Sequence, residues 1–204
     1  LCEDGSIQGV LEIAGVPYVG PGVLTAAINM DKDIAKKLVK HAGITTAKHL
    51  SLKSTASDAQ RQVFCQQVKQ ILEFPVYVKP VNMGSSVGIS KVMDEQQLLP
   101  ALELAFQFDH KILVEQAVNG REIELAVLEN RDQHLPPLVS IPGEILISDK
   151  YDYYSYQAKY HDDDLKLNIP ANLTKSQIKT CQHMAREIFN TLECEGMARI
   201  DLFL

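Results

Sequence analysis

The chain has 204 residues, 46% hydrophobic and 23% charged, with a formal net charge of −6 at pH 7. That length can bury a substantial core as one large domain or two small ones. Its scattered basic residues exclude a nucleic-acid-binding stripe and a polybasic membrane patch.

In chain order, Ile7, Val10, Leu11 and Ala14 recur at helical spacing before Gly15, a stop signal, and "VPYVG" reads as a short strand. Asp31 is a candidate cap for a helix with Ile34, Ala35 and Leu38 inward, ended by Gly43. A polar helix over 57–72 follows, with Val63, Val68, Ile71 and Leu72 as its apolar positions. "FPVYVKPV" alternates, so Val76 and Val78 face one way and Tyr77 and Lys79 the other. Residues 94–108 have helical character, but Pro100 removes an internal hydrogen bond and predicts a regular helix only from about Leu99. "KILVEQAV" and "REIELAVL" read as strands joined by the tight-turn dipeptide Asn119-Gly120, with "PPLVSI" as a third antiparallel strand.

Residues 148–164 are polar and aromatic without a period, as expected of a long loop lying over something. A helix over 174–192 and an apolar strand, "GMARIDLFL", complete the chain. The sequence opens without an initiator methionine and stops inside that strand with no turn signal, which predicts a piece of a longer protein. No apolar run approaches the ~20 residues that cross a bilayer. With no signal-peptide pattern either, a cytoplasmic protein with a small-molecule partner is expected. Cys2, Cys65, Cys181 and Cys194 lack any C-x-x-C spacing, so free thiols are expected rather than a metal site or a disulfide framework.

The stretch richest in chemistry is "VKPVNMGSSVGIS", residues 78–90. It is not a P-loop: Gly84 and Gly88 are separated by three residues rather than four and no Gly-Lys-Ser/Thr follows. Nor is it a dinucleotide fingerprint, since a strand rather than a helix follows. What remains is a strand-loop-strand hairpin. Its glycines let the N-H groups of Ser85, Ser86 and Val87 converge on an anion beside Lys79. An ordinary surface hairpin with an exposed lysine stays open as the plain alternative.

In "MARIDLFL", alternation places Ala198, Ile200, Leu202 and Leu204 on one apolar face and Arg199 and Asp201 together on the other. Such a pair suits an oxyanion and a hard cation such as Mg2+, though an isolated salt bridge would look the same. Glu115 ends a strand, and Glu122 and Glu124 share a strand face. Alone, these read as solvated strand-end charges.

Taken in order, "EDGSIQGVLEIAGVPYVGPGV", "NMDKDIAKKL", "FPVYVKPVNMGSSVGISKV", "ILVEQAVNGREIELAVL", "PGEI", "YQAKY" and "GMARIDLFL" resemble the D-alanine:D-alanine ligases of the ATP-grasp superfamily. The resemblance covers essentially the whole chain. It implies an α+β, ATP-grasp fold of two α+β subdomains that hold ATP between them, with a remnant of an upstream α/β domain. The implied divisions are 1–30 for that remnant, 31–114 for the central subdomain and 115–204 for an incomplete C-terminal subdomain.

Residue by residue, the resemblance implies that Lys32, Lys79 and Lys159 contact the ATP phosphates and that Ser85 and Ser86 cover them. It places Glu115, Gln116 and Val118 at the adenine edge, Glu122 on the ribose hydroxyls and Asp201 as the first magnesium ligand, with Mn2+ a workable substitute. Arg199 would steady the transferred phosphate and the tetrahedral intermediate.

The loop over 148–164 would be the lid, with Tyr160 hydrogen-bonded to Ser85 over the second substrate. The implied partners are two molecules of D-alanine, and a homodimer is compatible with the family. Lys159-Tyr160 matches the pattern of ligases making the dipeptide rather than the D-lactate ester. A D-alanine:D-lactate ligase, another ATP-grasp carboxylate ligase and a non-catalytic ATP-binding fragment are the alternatives.

The chain departs from the family in four places. Cys2 stands where glycine is usual, and Ala117 stands where an aromatic is frequent. The family's other metal ligands and a serine-containing substrate loop lie beyond Leu204, and most of the upstream domain, with the glutamate that orients the first D-alanine, is also absent.

Overall fold

A computed structural model of the chain describes residues 3–132, 134–146 and 166–204. It begins with three helices, α1 (Ser6–Ile13), α2 (Val23–Met30) and α3 (Lys32–His41). Next come β1 (His49–Lys53), α4 (Asp58–Ile71), β2 (Val76–Pro80), β3 (Ser90–Val92), α5 (Glu95–Phe106) and β4 (Lys111–Gln116). The remainder is β5 (Glu122–Leu128), β6 (Leu138–Val139), β7 (Gly143–Leu146), β8 (Lys166–Asn168), α6 (Lys175–Thr191) and β9 (Met197–Phe203). Helices with antiparallel sheets make the architecture α+β, as expected.

The first sheet has the order β1-β4-β2-β3, antiparallel throughout. Its apolar face carries Val76, Val78, Val92, Ile112 and Val114, which pack against Phe64, Val68 and Leu72 of α4 and against Leu98, Ala101, Leu102 and Ala105 of α5. The second sheet runs β6-β5-β7-β8 with β9 also paired to β5. Ile123, Leu125, Val127 and Ile200 meet Cys181, Ala185 and Phe189 of α6 in a separate core. Local signals set the helix starts. Ser57 and Thr174 form reciprocal capping boxes with Gln60 and Gln177, and Asp31 accepts from Ile34 N-H at 3.0 Å.

Several expectations are corrected. "VPYVG" is not a strand; Val16 and Val19 are 47% and 96% exposed and pair with nothing to form a ladder among the described residues. The helix α2 was not foreseen, because "VLTAAINM" is apolar nearly all round and offers no periodic face. In α3 it is Asp33 and Val39 that are buried while Ile34 is exposed. In α4, Phe64 and Val68 point inward, whereas Val63 and Ile71 are exposed. In α1, Ile7 and Val10 are also turned outward, with Val10 59% exposed, while Leu11 is half-buried.

Pro100 does not delay α5. Asp94 accepts from the N-H groups of Gln96 and Gln97 and starts the helix at Glu95, and Pro100 sits on the exposed side.

The Asn119-Gly120 step does not close a hairpin. β4 is already paired on both edges, to β1 and β2, while β5 belongs to the other sheet. The dipeptide is the crossing between sheets. There Arg121 and Leu204 exchange both backbone hydrogen bonds at 3.0 Å, and a Cβ on Gly120 would lie 3.0 Å from the Leu204 carbonyl oxygen. Cys65, Cys181 and Cys194 are free thiols.

Candidate nucleotide cleft

The two sheets leave between them a cleft of about 290 Å³. From the first sheet and its loop come Tyr77, Lys79, Ser86, Glu115 and Gln116; from the crossing and the second sheet come Val118, Glu122, Arg199 and Asp201. Sequence alternation explains why they meet. In β2 the burial pattern puts Val76 and Val78 into the core and turns Tyr77 and Lys79 to the cleft. In β9 Ile200 is buried while Arg199 and Asp201 are exposed on the opposite face.

Glu115 is the electrostatic centre of the first wall. Only 6% exposed, it receives Lys79 Nζ at 3.2 Å and Lys36 Nζ at 2.8 Å. Burial pushes its carboxyl pKa up, but the two ammonium groups outweigh that and hold it below the ordinary value. Lys79 Nζ also lies 5.4 Å from the Tyr77 ring centroid. The reading of Glu115 as a solvated strand-end charge is therefore wrong: the ion pairs needed to bury it come from α3 and β2, which lie far from it in sequence.

Lys32 does not line the cleft. Its ammonium donates to the carbonyls of Val81 at 3.0 Å and Met83 at 2.6 Å, at the base of the serine loop. Burial, reinforced by the positive charge of Lys79, lowers its pKa to about 8 against the pull of Asp109, Asp31 and Glu115. The helix that carries Lys32 is fixed to the sheet by Lys111, whose ammonium reaches Asp31 at 3.1 Å and the buried Asp33 at 2.7 Å.

Between β2 and β3 the loop over 81–89 closes the expected strand-loop-strand hairpin, with Val76 of β2 opposite Val92 of β3. The left-handed backbone falls on both serines, Ser85 at φ 51° and Ser86 at φ 59°, as well as on Gly88 at φ 71°. Val87 N-H is turned inward to the Gly84 carbonyl at 3.1 Å, so the expected third convergent donor is already used. Ser86 lines the cleft, while Ser85 lies in an adjoining cavity of about 640 Å³ that shares Arg199 and also contains Glu3 and Asn29. Lys159 and Tyr160, with the rest of the expected lid, lie outside the described residues.

On the second wall Arg199 donates to both oxygens of Asp201, at 2.8 and 2.9 Å, and its Nε is 3.6 Å from Glu124. Glu124 stands opposite Asp201 in the β5–β9 register. No group of three or more His, Cys, Asp or Glu among the described residues is arranged to hold a metal ion. One exposed carboxylate beside a cleft does fit Mg2+ or Mn2+ entering with a nucleotide, because such a cation keeps several waters and takes oxygens from phosphates.

Two features escaped sequence reasoning. Lys36 lies one helical turn after Lys32, a spacing that signals a shared face. Arg121 grips the buried Glu144 through two bonds, at 2.6 and 2.7 Å, and the Asn172 carbonyl at 3.1 Å, tying β5 to β7 and the approach to α6; no local pattern announces it.

Residues 38–204 match the family model described as D-ala D-ala ligase C-terminus. The chain is 48% identical over 205 residues to a D-alanine–D-alanine ligase of Oceanobacillus iheyensis, covering 100% of this chain and 54% of that protein. It is 47% identical over 206 residues to D-alanine–D-alanine ligase A of Chromobacterium violaceum, with the same coverage. Among solved structures, the VanG D-Ala:D-Ser ligase from Enterococcus faecalis matches with a TM-score of 0.85 at 37% identity, over 99% of this chain and 56% of that one. The D-alanine-D-alanine ligase from Coxiella burnetii matches with a TM-score of 0.80 at 31% identity, over 98% and 51%. The chain spans about half the length of the curated relatives it matches.

Proposed function

This chain belongs to the D-alanine–D-alanine ligase family and has its ATP-grasp fold, and on that premise we propose that its protein joins two D-alanines at the expense of ATP. The product would be a precursor for peptidoglycan, made in the cytoplasm. The observation that carries the reading is the cleft between the sheets, where Lys79 and Glu115 on one wall oppose Arg199 and Asp201 on the other. We propose 31–114 and 115–204 as the two grasping subdomains and 1–30 as part of a neighbouring substrate-binding domain.

The chemistry accounts for the residue types. A carboxylate oxygen of the first D-alanine attacks the γ-phosphorus, the bond to the β-phosphate oxygen breaks, and ADP leaves. The charge that spreads over the phosphoryl oxygens is stabilised by fixed cations and backbone N-H groups rather than by proton transfer. Lys79 would supply one such cation, and Lys32 would reach the same phosphates by leaving the Val81 and Met83 carbonyls. Asp201 would hold Mg2+, which when bound neutralises phosphate charge.

The amine of the second D-alanine then attacks the acyl phosphate. Arg199 would face the developing oxyanion, the bond from the acyl carbon to the phosphate oxygen breaks, and the departing phosphate takes up the proton that the amine loses. Glu115, Gln116 and Val118 would face the adenine, Glu122 the ribose, and Ser85, Ser86, Lys159 and Tyr160 the phosphates and the second substrate. D-alanine is proposed as that second substrate.

The test uses the protein translated from the whole reading frame, with ATP, Mg2+ and D-alanine. Equal amounts of ADP, phosphate and D-alanyl-D-alanine are expected by mass spectrometry and phosphate assay. ATP turnover that ignores D-alanine would overturn the reading. With equimolar D-alanine, D-lactate and D-serine, the dipeptide of D-alanine is expected to dominate at pH 7; mostly ester or mostly D-alanyl-D-serine would refute the proposed second substrate.

A further inference from the structure

We propose that Lys36 is a positioning residue of the nucleotide cleft: it is the standing counter-ion of buried Glu115, and by holding that carboxylate it releases Lys79 to the nucleotide phosphates. The inference rests on the reading above that Lys79 meets those phosphates.

Glu115 is 6% exposed and has two cationic partners on different elements, Lys36 of α3 on Oε2 at 2.8 Å and Lys79 of β2 on Oε1 at 3.2 Å. Only Lys79 and Glu115 line the cleft; Lys36 does not. The shorter contact belongs to the lysine that lies outside the cleft. Its helix is clamped to β4 through Lys111 with Asp31 and Asp33, so Lys36 is presented by a rigid support.

A carboxylate this buried cannot be left unpaired without a large penalty. If Lys79 were its sole partner, each nucleotide would have to pull Lys79 from a lone buried charge. With Lys36 in place, one cation stays behind and the other is shared. Glu115 in turn aims the Lys79 ammonium along the strand face toward the cleft. Lys36 thus acts through Glu115 and need not touch the nucleotide.

The test measures kcat and KM for ATP in the whole-frame protein. Lys36→Met is expected to raise KM for ATP by ~10- to 100-fold, the scale on which losing one partner of a buried charge pair is felt, with kcat within about threefold. Lys36→Arg, which keeps the charge, should stay within about threefold in KM. The double variant Lys36→Met/Glu115→Gln buries no lone charge and should match Glu115→Gln alone within about twofold, because the two residues act as one unit. An unchanged KM in Lys36→Met would overturn the inference, as would a double variant about tenfold worse than Glu115→Gln, which would mean that Lys36 contacts the nucleotide itself. Should Lys36→Met fail to fold, the arginine and double variants decide by the same limits. Lys79→Ala separates the two layers: if it leaves ATP handling intact, the reading of Lys79 fails, whereas damage there with no effect at Lys36 defeats this inference alone.

Discussion

Arg199 and Asp201 close on each other as a fork on the cleft face of β9, Nε to Oδ1 at 2.8 Å and Nη2 to Oδ2 at 2.9 Å. Both side chains are more than half exposed, 59% and 57%, so water competes with the pair and it contributes ~0–1 kcal/mol to stability. Both side chains line the cleft, and Arg199 Nε also stands 3.6 Å from Glu124.

Asp201→Asn in the whole-frame protein should therefore change stability by less than ~1 kcal/mol while lowering dipeptide synthesis on the order of a hundredfold or more. Thermal melting and turnover of one preparation give both numbers. A steep loss of melting temperature, or turnover that is unaffected, would contradict the assignment.

Lys32 makes ATP binding depend on pH. Its pKa is lowered to about 8, so much of it is neutral above that value in the unliganded protein, and an arriving polyanion would draw the proton back. Proton uptake on ATP binding is expected to be largest from about pH 8 upward and to vanish well below it. Calorimetry in buffers of different ionisation heat measures that uptake, and Lys32→Arg should abolish it, since arginine stays charged. Uptake that survives the substitution would point to another group. The same lysine works against folding at neutral pH. Its folded pKa lies below the ordinary 10.5, so the unfolded chain binds more protons between about 8 and 10.5, and its contribution to stability rises with pH across that window.

Gly88→Ala should damage the serine loop. Gly88 has φ +71°, and a Cβ there would come within 2.6 Å of Phe108 Cδ2 and 2.8 Å of Pro80 Cγ. Both the left-handed backbone and the collision act against alanine, for a cost of ~1–3 kcal/mol. The loop's hold on phosphate should suffer with it. A lower melting temperature together with a higher KM for ATP is the expected pair of results, and unchanged values for both would show that the loop adapts without loss.

Within the first core, Leu102→Ala should cost ~2–5 kcal/mol, since the side chain is fully buried against both sheet and helix and leaves a cavity. Val63→Ala, at 54% exposure on α4, should stay within ~0.5 kcal/mol. Denaturant unfolding of the two variants tests the inward face of α4 and α5 directly.

The amino-acid sequence by itself determined the local grammar of this protein. Alternation in "VYVKP" and "MARIDLF" assigned Lys79, Arg199 and Asp201 to faces opposite the core, because successive strand side chains must point oppositely. Asp31 announced a helix start, because an oxygen there satisfies amide groups that the helix leaves unpaired. The ordered motifs identified the family.

Tertiary structure decided which edges pair and which charges are buried. Asn119-Gly120 carries a strong hairpin signal, yet β4 had both edges taken and the chain crossed to a second sheet. Whether Val63 or Phe64 faces inward depended on where the sheet lay against α4, which a weakly periodic helix does not specify. The pairing of Glu115 with Lys36 and Lys79 joins residues 79 and 36 positions away in sequence. No local pattern could reveal it, because burial of a carboxylate is tolerated only where distant cations converge on it.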